Sequence, residues 1–325
     1  MNTARARPLV SIVTPVLNRA STVGLALASV SAQTYPNIEH IVVDGGSRDG
    51  TVEILEGFVS PFDFRWVSEA DRGMYEAINK GFRLARGQML AYINSDDLYL
   101  PWSVEVAVSH LSTTRADLVF GDMGMLRPAR NFRPKFYRPF DINHYTHIEA
   151  IGQPTVFWKA AVTDRIGDFD ETYQLIGDCE YWLRAAAAGF DLTHVDEILA
   201  IQVEHEGTLR QTRPDDLRLE FDRLRREYTS VAGPRRRHRL ARAQDSIRWR
   251  RLQLEFILLA RQSTPAKWAR FLAFLREQRI PVDRSGLLWY LLPARLWPPG
   301  FSTVDADLFE RRLVDRIETA TRPGS

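Results

Sequence analysis

The stretch QMLAYINSDDLYLP, from Gln88 to Pro101, decides the fold of this chain. Its apolar run from Met89 to Ile93 predicts a strand buried inside a sheet. Two adjacent acids follow, Asp96 and Asp97, whose carboxylates repel each other when they lie close together. A bound divalent cation would relieve this repulsion. An ordinary turn is the alternative, because aspartates after a strand are common in loops.

Strand-like and helix-like runs alternate on both sides of this stretch. Strands are predicted at Leu9–Thr14, Ile38–Asp44, Phe64–Val67 and Leu118–Phe120, with helical patterns between them. Such alternation predicts an α/β fold with a mainly parallel sheet flanked by helices. No GxGxxG or P-loop motif follows the first strand, which argues against a dinucleotide-binding domain and against ATP hydrolysis. Because ligands bind at the carboxyl ends of such strands, one crevice is expected to be lined by Pro15–Asn18, Asp44, Asp96 and Asp97.

Composition and charge narrow the class of protein. The 325 residues have the apolar and charged fractions of an ordinary soluble protein and a net charge of +2. That charge is unevenly distributed, since residues 233–325 carry a balance of +10 and the remainder a balance of −8. A lone cysteine, Cys179, excludes an internal disulfide and a cysteine-based metal cluster. The sequence shows no signal peptide and no membrane-spanning run, so we expect a cytoplasmic protein.

Five segments stand in an order that is typical of one enzyme family: VSIVTPVLN, SAQTYPNIEHIVVDGGSRDGT, EADRGMYEAINKGFRLARG, YINSDD and GDCEYWLR. Together they make the chain resemble the family 2 glycosyltransferases with the GT-A fold, in particular the bacterial subgroup that builds cell-surface polysaccharides and glycolipids. The resemblance covers about residues 9–210. It implies a GT-A catalytic domain at residues 1–212, followed by a helical C-terminal extension at residues 213–325.

The resemblance implies that the protein transfers a sugar from a nucleotide-diphospho-sugar to a hydroxyl of a saccharide or lipid-linked acceptor, with inversion at the anomeric carbon. It also implies a divalent cation, Mg²⁺ or Mn²⁺. Elementary chemistry agrees, because the departing nucleoside diphosphate gains negative charge that a cation stabilises. The alternative is a non-catalytic nucleotide-sugar-binding or scaffold protein on the same fold, since Gly45, Asn94 and Gly177 stand where relatives often carry acids.

The resemblance also assigns residues to the nucleotide and the donor sugar. For three of them a purely structural role stays open: Asn18 as a helix cap, Asp44 as a turn residue, and Arg72 as a solvated surface charge. The complete set of nucleotide- and donor-binding candidates is Pro15, Val16, Asn18, Asp44, Asp71, Arg72, Asn94 and Asp96.

The predicted metal ligands are Asp96, Asp97 and His205. The aspartates stand where the family keeps its metal-binding DxD motif, although Asn94 replaces the first acid, and which of the two binds the metal stays open. His205 matches a position of a further metal ligand in the family, and a solvated loop histidine is the alternative.

Gln153 matches a recurrent glutamine that would contact the sugar or the acceptor, because an amide both donates and accepts hydrogen bonds. A buried support residue is the alternative for Gln153.

Asp178 is the predicted general base. Inverting transfer needs a carboxylate that takes the proton of the acceptor hydroxyl, and in the family this is the aspartate of an ED motif at the start of a helix. GDCEYWLR places Asp178 at that position, with Gly177 in place of the glutamate. Glu180 is the fallback, although it points to a different side of the helix. A carboxylate that only complements the helix dipole is the structural alternative.

The C-terminal extension is basic and amphipathic. Trp268, Phe271, Leu272 and Leu275 follow helical spacing, which gives a helix one apolar face. Residues 235–297 are therefore predicted to bind an anionic membrane surface, at the inner face of the cell membrane, where a lipid-linked acceptor would be found. The alternative is a helical extension that packs on the catalytic domain. Nucleic acid is not an expected partner, because no recognised binding motif is present.

Overall fold

The computed structural model describes residues 7–127, 131–135, 151–203 and 212–229. The predicted metal ligand His205 lies outside the described residues, and so does the predicted membrane-binding segment 235–297. Of the predicted C-terminal extension, residues 213–229 are described.

Strands and helices alternate along the described chain, as the sequence pattern predicts. The strands are β1 (Val10–Val16), β2 (Ile38–Asp44), β3 (Asp63–Ser68), β4 (Met89–Tyr92), β5 (Leu98–Tyr99), β6 (Leu118–Arg127), β7 (Asn131–Lys135), β8 (Phe157–Lys159) and β9 (Leu192–Val203). The helices are α1 (Val23–Ser31), α2 (Thr51–Gly57), α3 (Met74–Leu84), α4 (Ser103–Thr113), α5 (Ala160–Ile166), α6 (Gly177–Ala187) and α7 (Pro214–Thr229). A 3₁₀ turn covers Gln153–Thr155.

A sheet of nine strands runs through the described residues in the order β3-β2-β1-β4-β8-β6-β9-β5, with β7 paired to β6. β1 pairs in parallel with β2 and β4, and β2 pairs in parallel with β3. β8 is antiparallel to β4 and to β6, and it joins this parallel part to a second part in which β6 and β9 are parallel. The predicted α/β fold, with a mixed and mainly parallel sheet between helices, is confirmed.

Both faces of the sheet are buried, which explains why its strands read as continuous apolar runs. Ile12 and Ala91 belong to the core between the sheet and helices α1 and α4. Their chain neighbours Val13 and Leu90 belong to the opposite core, which α3 and α6 cover. Tyr92, the last residue of β4, lies in this second core, and the turn with the adjacent acids follows it directly.

Most predicted boundaries agree with the structure within a few residues, and β2 begins and ends as predicted. The sequence pattern does not predict β5 and β8, because strands of two and three residues are too short to show a period. The sequence of Val195–Val203 is typical of one strand or two, and in the structure it forms part of the single strand β9, which begins at Leu192. Among the described helices, none has the length and apolar character needed to cross a lipid bilayer.

His40, in β2, offers a pH-dependent test of this buried sheet. The residue is fully buried, and its Nε2 lies 2.9 Å from Thr14 Oγ1. Burial lowers the pKa of His40 from 6.5 to about 3. Below pH 6.5 the imidazole of His40 is protonated in the unfolded chain, whereas in the folded chain it stays neutral down to about pH 3. Protonation therefore favours the unfolded chain, and stability is lost as the pH falls. We expect this residue alone to lower the free energy of unfolding by about 2 kcal/mol between pH 7 and pH 5.

Urea unfolding at the two pH values measures the effect. His40→Gln, which keeps a polar partner for Thr14, should remove this part of the pH dependence. His110→Gln, a matched change in α4, should retain it. An equal pH dependence in the His40→Gln variant and in the wild type would contradict the prediction.

Candidate active site

A cleft of about 510 Å³ opens at the carboxyl ends of β1 and β4. Its walls come from the loops after these strands, from the first turns of α3 and α6, and from the end of β9. The volume is that of a typical small-molecule pocket. Asp44 and Arg72 do not line this cleft, and His205 lies outside the described residues. The predicted site residues that do line it are Pro15, Val16, Asn18, Asp71, Asn94, Asp96, Asp97, Gln153 and Asp178.

The loop after β1 reaches the cleft at Pro15, Val16 and Asn18. Asn18 has a left-handed backbone with a φ of 52°, a conformation that asparagine tolerates better than most residues. Its Oδ1 accepts a hydrogen bond from the Arg48 N–H at 2.9 Å, and its own N–H donates to Ser47 Oγ at 2.7 Å. Asn18 therefore ties the loop after β1 to the loop after β2, and it does not cap α1.

Asp44, the last residue of β2, is fully buried and holds the loop that follows it. One carboxylate oxygen accepts hydrogen bonds from the Gly46 N–H at 3.0 Å, the Ser47 N–H at 2.9 Å and the Ser68 hydroxyl at 2.6 Å. The other oxygen accepts the Ser47 hydroxyl. The structure therefore places Asp44 as an anchor of the loop between β2 and α2.

Arg72 is an exposed residue just before α3. Its guanidinium pairs with Glu76 at 2.8 Å and with Glu171 at 2.6 Å. These two carboxylates hold the side chain at the surface, and so the structure does not bring Arg72 into the wall of the cleft.

Asp71 lines the cleft in a space that Gly45 leaves open. A Cβ atom at residue 45 would lie 2.5 Å from Asp71 Oδ2. The other carboxylate oxygen of Asp71 accepts the Gly73 N–H at 3.0 Å. Burial raises the pKa of Asp71, and the nearby carboxylates of Glu76 and Asp44 act in the same direction. A side chain at residue 45 would therefore collide with the carboxylate of Asp71.

The turn after β4 is braced from three directions. The Asp97 N–H donates to the Asn94 carbonyl at 3.1 Å, and Asp97 Oδ1 accepts the Val203 N–H at 3.1 Å. Asn94 Nδ2 donates to Asp97 Oδ2 at 3.3 Å and to Gln153 Oε1 at 3.1 Å. Gln153 Nε2 in turn donates to the Tyr92 carbonyl at 3.0 Å. The end of β4, the 3₁₀ turn and the end of β9 are thereby fixed to one another.

Asn94, Asp96 and Asp97 form an acid corner at this turn, and their chemistry suits a divalent cation. Within the described part of the chain, no group of three or more His, Cys, Asp or Glu side chains is placed to hold a metal. Mg²⁺, however, is commonly bound by one or two carboxylates together with substrate phosphates. Asn94 Oδ1 is a buried oxygen with no hydrogen-bond partner among the described residues, and Asn94 lines the cleft. The acid corner therefore fits a cation that completes its coordination with a ligand's phosphates.

Asp178 lies in the first turn of α6 and is only 5% exposed. The Tyr75 hydroxyl donates to Asp178 Oδ1 at 3.2 Å and accepts the Asp178 N–H at 3.2 Å. Burial, and then the charge of Asp178, raise the pKa of Tyr75 well above its ordinary value, so the phenol stays protonated and keeps donating. Gly177 makes room for this contact, because a Cβ at residue 177 would lie 2.8 Å from the Tyr75 ring.

Glu180, the fallback base, is committed to other contacts. Its Oε1 accepts hydrogen bonds from Arg184 Nε at 2.9 Å and from the Tyr228 hydroxyl at 2.8 Å, and its Oε2 pairs with Arg184 at 2.9 Å. Glu180 does not line the cleft, whereas Asp178 does. Of the two acids in the first turn of α6, Asp178 is therefore the one placed for chemistry in the cleft.

The cleft is also lined by four residues that no sequence motif marks as site residues: Tyr75, Tyr92, Gln174 and Arg213. Tyr75 stands three residues before the apolar Ile78 in α3, and this helical spacing signals its burial. Its contact with Asp178 has no local signal, because the partners are 103 residues apart in the chain. Arg213 stands just before the charged helix α7, and no motif or helical spacing in the sequence distinguishes it as a site residue.

The known proteins described next, to which this chain is similar, are glycosyltransferases. Residues 11–165 match the model of glycosyl transferase family 2. An uncharacterized glycosyltransferase of Mycobacterium tuberculosis, Rv1514c, is 33% identical over 182 residues, which cover 55% of this chain and 69% of the relative. The PGL/p-HBAD biosynthesis glycosyltransferase of Mycobacterium bovis BCG is 28% identical over 214 residues, which cover 65% of this chain and 82% of the relative.

Two solved structures share the fold. The mannosyltransferase PcManGT from Pyrobaculum calidifontis, in complex with GDP-Man and Mn²⁺, superposes with a TM-score of 0.57 at 17% identity, over 98% of this chain and 89% of the other. Residues 1–349 of TarS from S. aureus, in complex with UDP-GlcNAc, superpose with a TM-score of 0.54 at 18% identity, over 61% of this chain. The match spans 59% of that TarS chain.

Gly177→Ala tests the close contact between α6 and Tyr75. The added methyl group would lie 2.8 Å from a buried ring, which must then shift. We expect a loss of about 1–3 kcal/mol in the free energy of unfolding, measured by urea titration. Gly24→Ala in α1 is the matched control, since outside its own helix and chain neighbours no atom of the described residues lies within 4 Å of its Cβ position. Equal stability of the Gly177→Ala variant and the wild type would rule out this packing.

Proposed function

Because the chain belongs to glycosyl transferase family 2 and is a glycosyltransferase, we propose that it moves a sugar from a nucleotide-diphospho-sugar to a hydroxyl of a saccharide or lipid-linked acceptor. The transfer is a single displacement with inversion, it needs a divalent cation, and Asp178 is its general base. The observation that carries the proposal is the cleft, in which the acid corner and Asp178 line one space of about 510 Å³.

Solved structures of similar fold support the donor class. PcManGT holds GDP-Man and Mn²⁺, and TarS holds UDP-GlcNAc. In this chain the nucleotide would lie against Pro15, Val16, Asn18 and Asp71, because amide and carboxylate oxygens accept hydrogen bonds from nucleobase N–H and ribose O–H groups. Asp44 contributes indirectly, since it fixes the loop after β2 to which Asn18 is bound.

The acid corner would hold the divalent cation, which supplies positive charge against the negative charge of the departing diphosphate. Asp97 is fixed before any ligand arrives, because its carboxylate accepts the Val203 N–H and the Asn94 amide. Gln153 is held next to the acid corner by Asn94 and by the Tyr92 carbonyl. We assign Gln153 to the sugar or the acceptor, because its amide lines the same cleft.

Asp178 takes the proton of the acceptor hydroxyl as the hydroxyl oxygen attacks the anomeric carbon. The glycosidic bond forms on one face of the sugar while the bond to the diphosphate breaks on the other. The bonding electrons leave with the diphosphate, so the configuration at the anomeric carbon inverts. Tyr75 orients Asp178 for this step, since one hydroxyl binds both its carboxylate and its peptide N–H.

The lipid-linked acceptor and the place at the inner face of the membrane rest on residues 235–297. These residues lie outside the described part of the chain. Their binding to an anionic membrane surface stays a prediction from a basic, amphipathic sequence.

Asp178→Asn removes the proton acceptor and keeps the size of the side chain. We expect kcat to fall by about 10²- to 10⁴-fold, because general-base catalysis contributes that much. The Kd of UDP or GDP, titrated by calorimetry with Mn²⁺, should change by no more than about two-fold. Transfer and hydrolysis are measured over a panel of nucleotide-sugars. Glu180→Gln is the control on the same helix. If Asp178→Asn kept its turnover and Glu180→Gln lost it, the base would be misassigned.

Removal of divalent metal with EDTA should abolish transfer, and Mn²⁺ or Mg²⁺ should restore it. Asp96→Asn and Asp97→Asn are each expected to raise the Mn²⁺ concentration for half-maximal activity by about 10-fold or more. Electron paramagnetic resonance of Mn²⁺ with UDP or GDP measures metal binding separately from turnover. Asp164→Asn, at an exposed acid of α5, is the control. Full activity in EDTA would refute the metal requirement.

A further inference from the structure

Glu220, in α7, holds the segment that leads into α6. One of its carboxylate oxygens accepts the Gln174 N–H at 2.7 Å. The other accepts the Leu175 N–H at 3.0 Å and the Ile176 N–H at 3.1 Å. Hydrogen bonds to a charged acceptor are stronger than those between neutral groups. One side chain thus fixes three consecutive peptide groups directly before Gly177, where α6 begins.

α6 has no side-chain cap of its own, since its N-cap residue is Ile176. From another helix, Glu220 adds to the negative charge of Asp178 and Glu180 at this helix N-terminus, where negative charge is stabilising. The next side-chain contact along α6 is the Asp178 N–H, which donates to the Tyr75 hydroxyl at 3.2 Å. Glu220 and Tyr75 together hold the entry and the first turn of the helix that carries the proposed base.

α7 is itself fixed against the catalytic domain, so Glu220 is presented from a rigid element. Leu224, one turn after Glu220, is fully buried in the core that also contains α6. One turn further, the Tyr228 hydroxyl donates to Glu180 of α6 at 2.8 Å. The helix lies beyond residue 165, where the match to the family model ends.

We propose that Glu220 is a positioning residue for sugar transfer, which sets the place of the Asp178 carboxylate through residues 174–176. The inference rests on the proposed role of Asp178 as the base. Asp178 follows this segment by two residues, and Gln174 and Leu175 line the same cleft. Release of the segment would move the base relative to the acceptor hydroxyl, and a misplacement of about 1 Å lowers rates by about 100-fold.

Glu220→Gln in the full-length protein tests the proposal, because an amide keeps the size of the side chain but replaces one acceptor oxygen by an NH₂ group. We expect kcat to fall by about 10- to 100-fold while the Kd of UDP or GDP with Mn²⁺ stays within about two-fold of the wild-type value. A residue needed only for folding would lower the fraction of binding-competent protein instead. The calorimetric stoichiometry measures that fraction.

Two further variants of α7 complete the experiment. Asp222→Asn is the matched control, because it changes a carboxylate that pairs with Arg225 at 2.8 Å on the same helix, and it should keep wild-type kinetics. Glu220→Asp keeps the charge on a shorter side chain, and its kcat should lie between those of Glu220→Gln and the wild type. If Glu220→Gln does not fold, the kcat of Glu220→Asp decides the test against the same control.

A double variant, Glu220→Gln with Asp178→Asn, separates this proposal from the proposed function. If Glu220 acts through Asp178, the double variant turns over as slowly as Asp178→Asn alone. Three results would each overturn the positioning role. The losses of kcat could be additive in the double variant, or Glu220→Gln could keep the wild-type kcat. Donor binding by Glu220→Gln could also weaken by the same factor as its kcat. Wild-type turnover in Asp178→Asn alone would overturn the base assignment and, with it, this inference.

Discussion

The reciprocal pair of hydrogen bonds between the Tyr75 hydroxyl and Asp178 links α3 to α6 and sets the direction of the buried carboxylate. A buried charge without such a donor is strongly disfavoured. The Tyr75 ring stacks on Phe169 with ring centroids 5.8 Å apart, and Phe169 stacks on Tyr181 of α6 at 4.0 Å. Asn79 fixes Phe169 by accepting its N–H and donating to its carbonyl, both at 2.9 Å. The geometry of Asp178, the proposed base, therefore depends on a packed aromatic core as well as on its own helix.

Two glycines show how the site accommodates this arrangement. Gly45 and Gly177 stand where the resemblance to the family implies acids, and this keeps a non-catalytic role open when the sequence is read alone. In the structure a side chain at residue 45 would collide with Asp71, and one at residue 177 would collide with Tyr75. The glycines therefore provide the space in which Asp71 and Tyr75 reach the cleft.

Local patterns predict the strands, the helices and the edge of the sheet at which the cleft opens, because burial on both faces leaves apolar runs such as Met89–Tyr92. They do not predict which way a polar side chain turns at that edge. Asp44 turns into its own loop, and Arg72 pairs with Glu171, 99 residues further along the chain. The contact of Glu220 with residues 174–176 likewise joins segments that no periodicity connects. Such pairings are set by the packing of distant elements, and so only the folded structure reveals them.

The two halves of the proposed reaction lie on different parts of the chain. The donor-binding candidates and the acid corner, from Pro15 to Asp97, fall within the family match at residues 11–165. Asp178 and Glu220 lie beyond that match. The donor half is built on parallel strands in the centre of the sheet, whereas the proposed base is carried by α6, which Tyr75 holds from one side and α7 from the other. Because Tyr75 follows Asp71 by four residues, α3 ties the proposed base to the proposed donor side, while Glu220 ties it to α7.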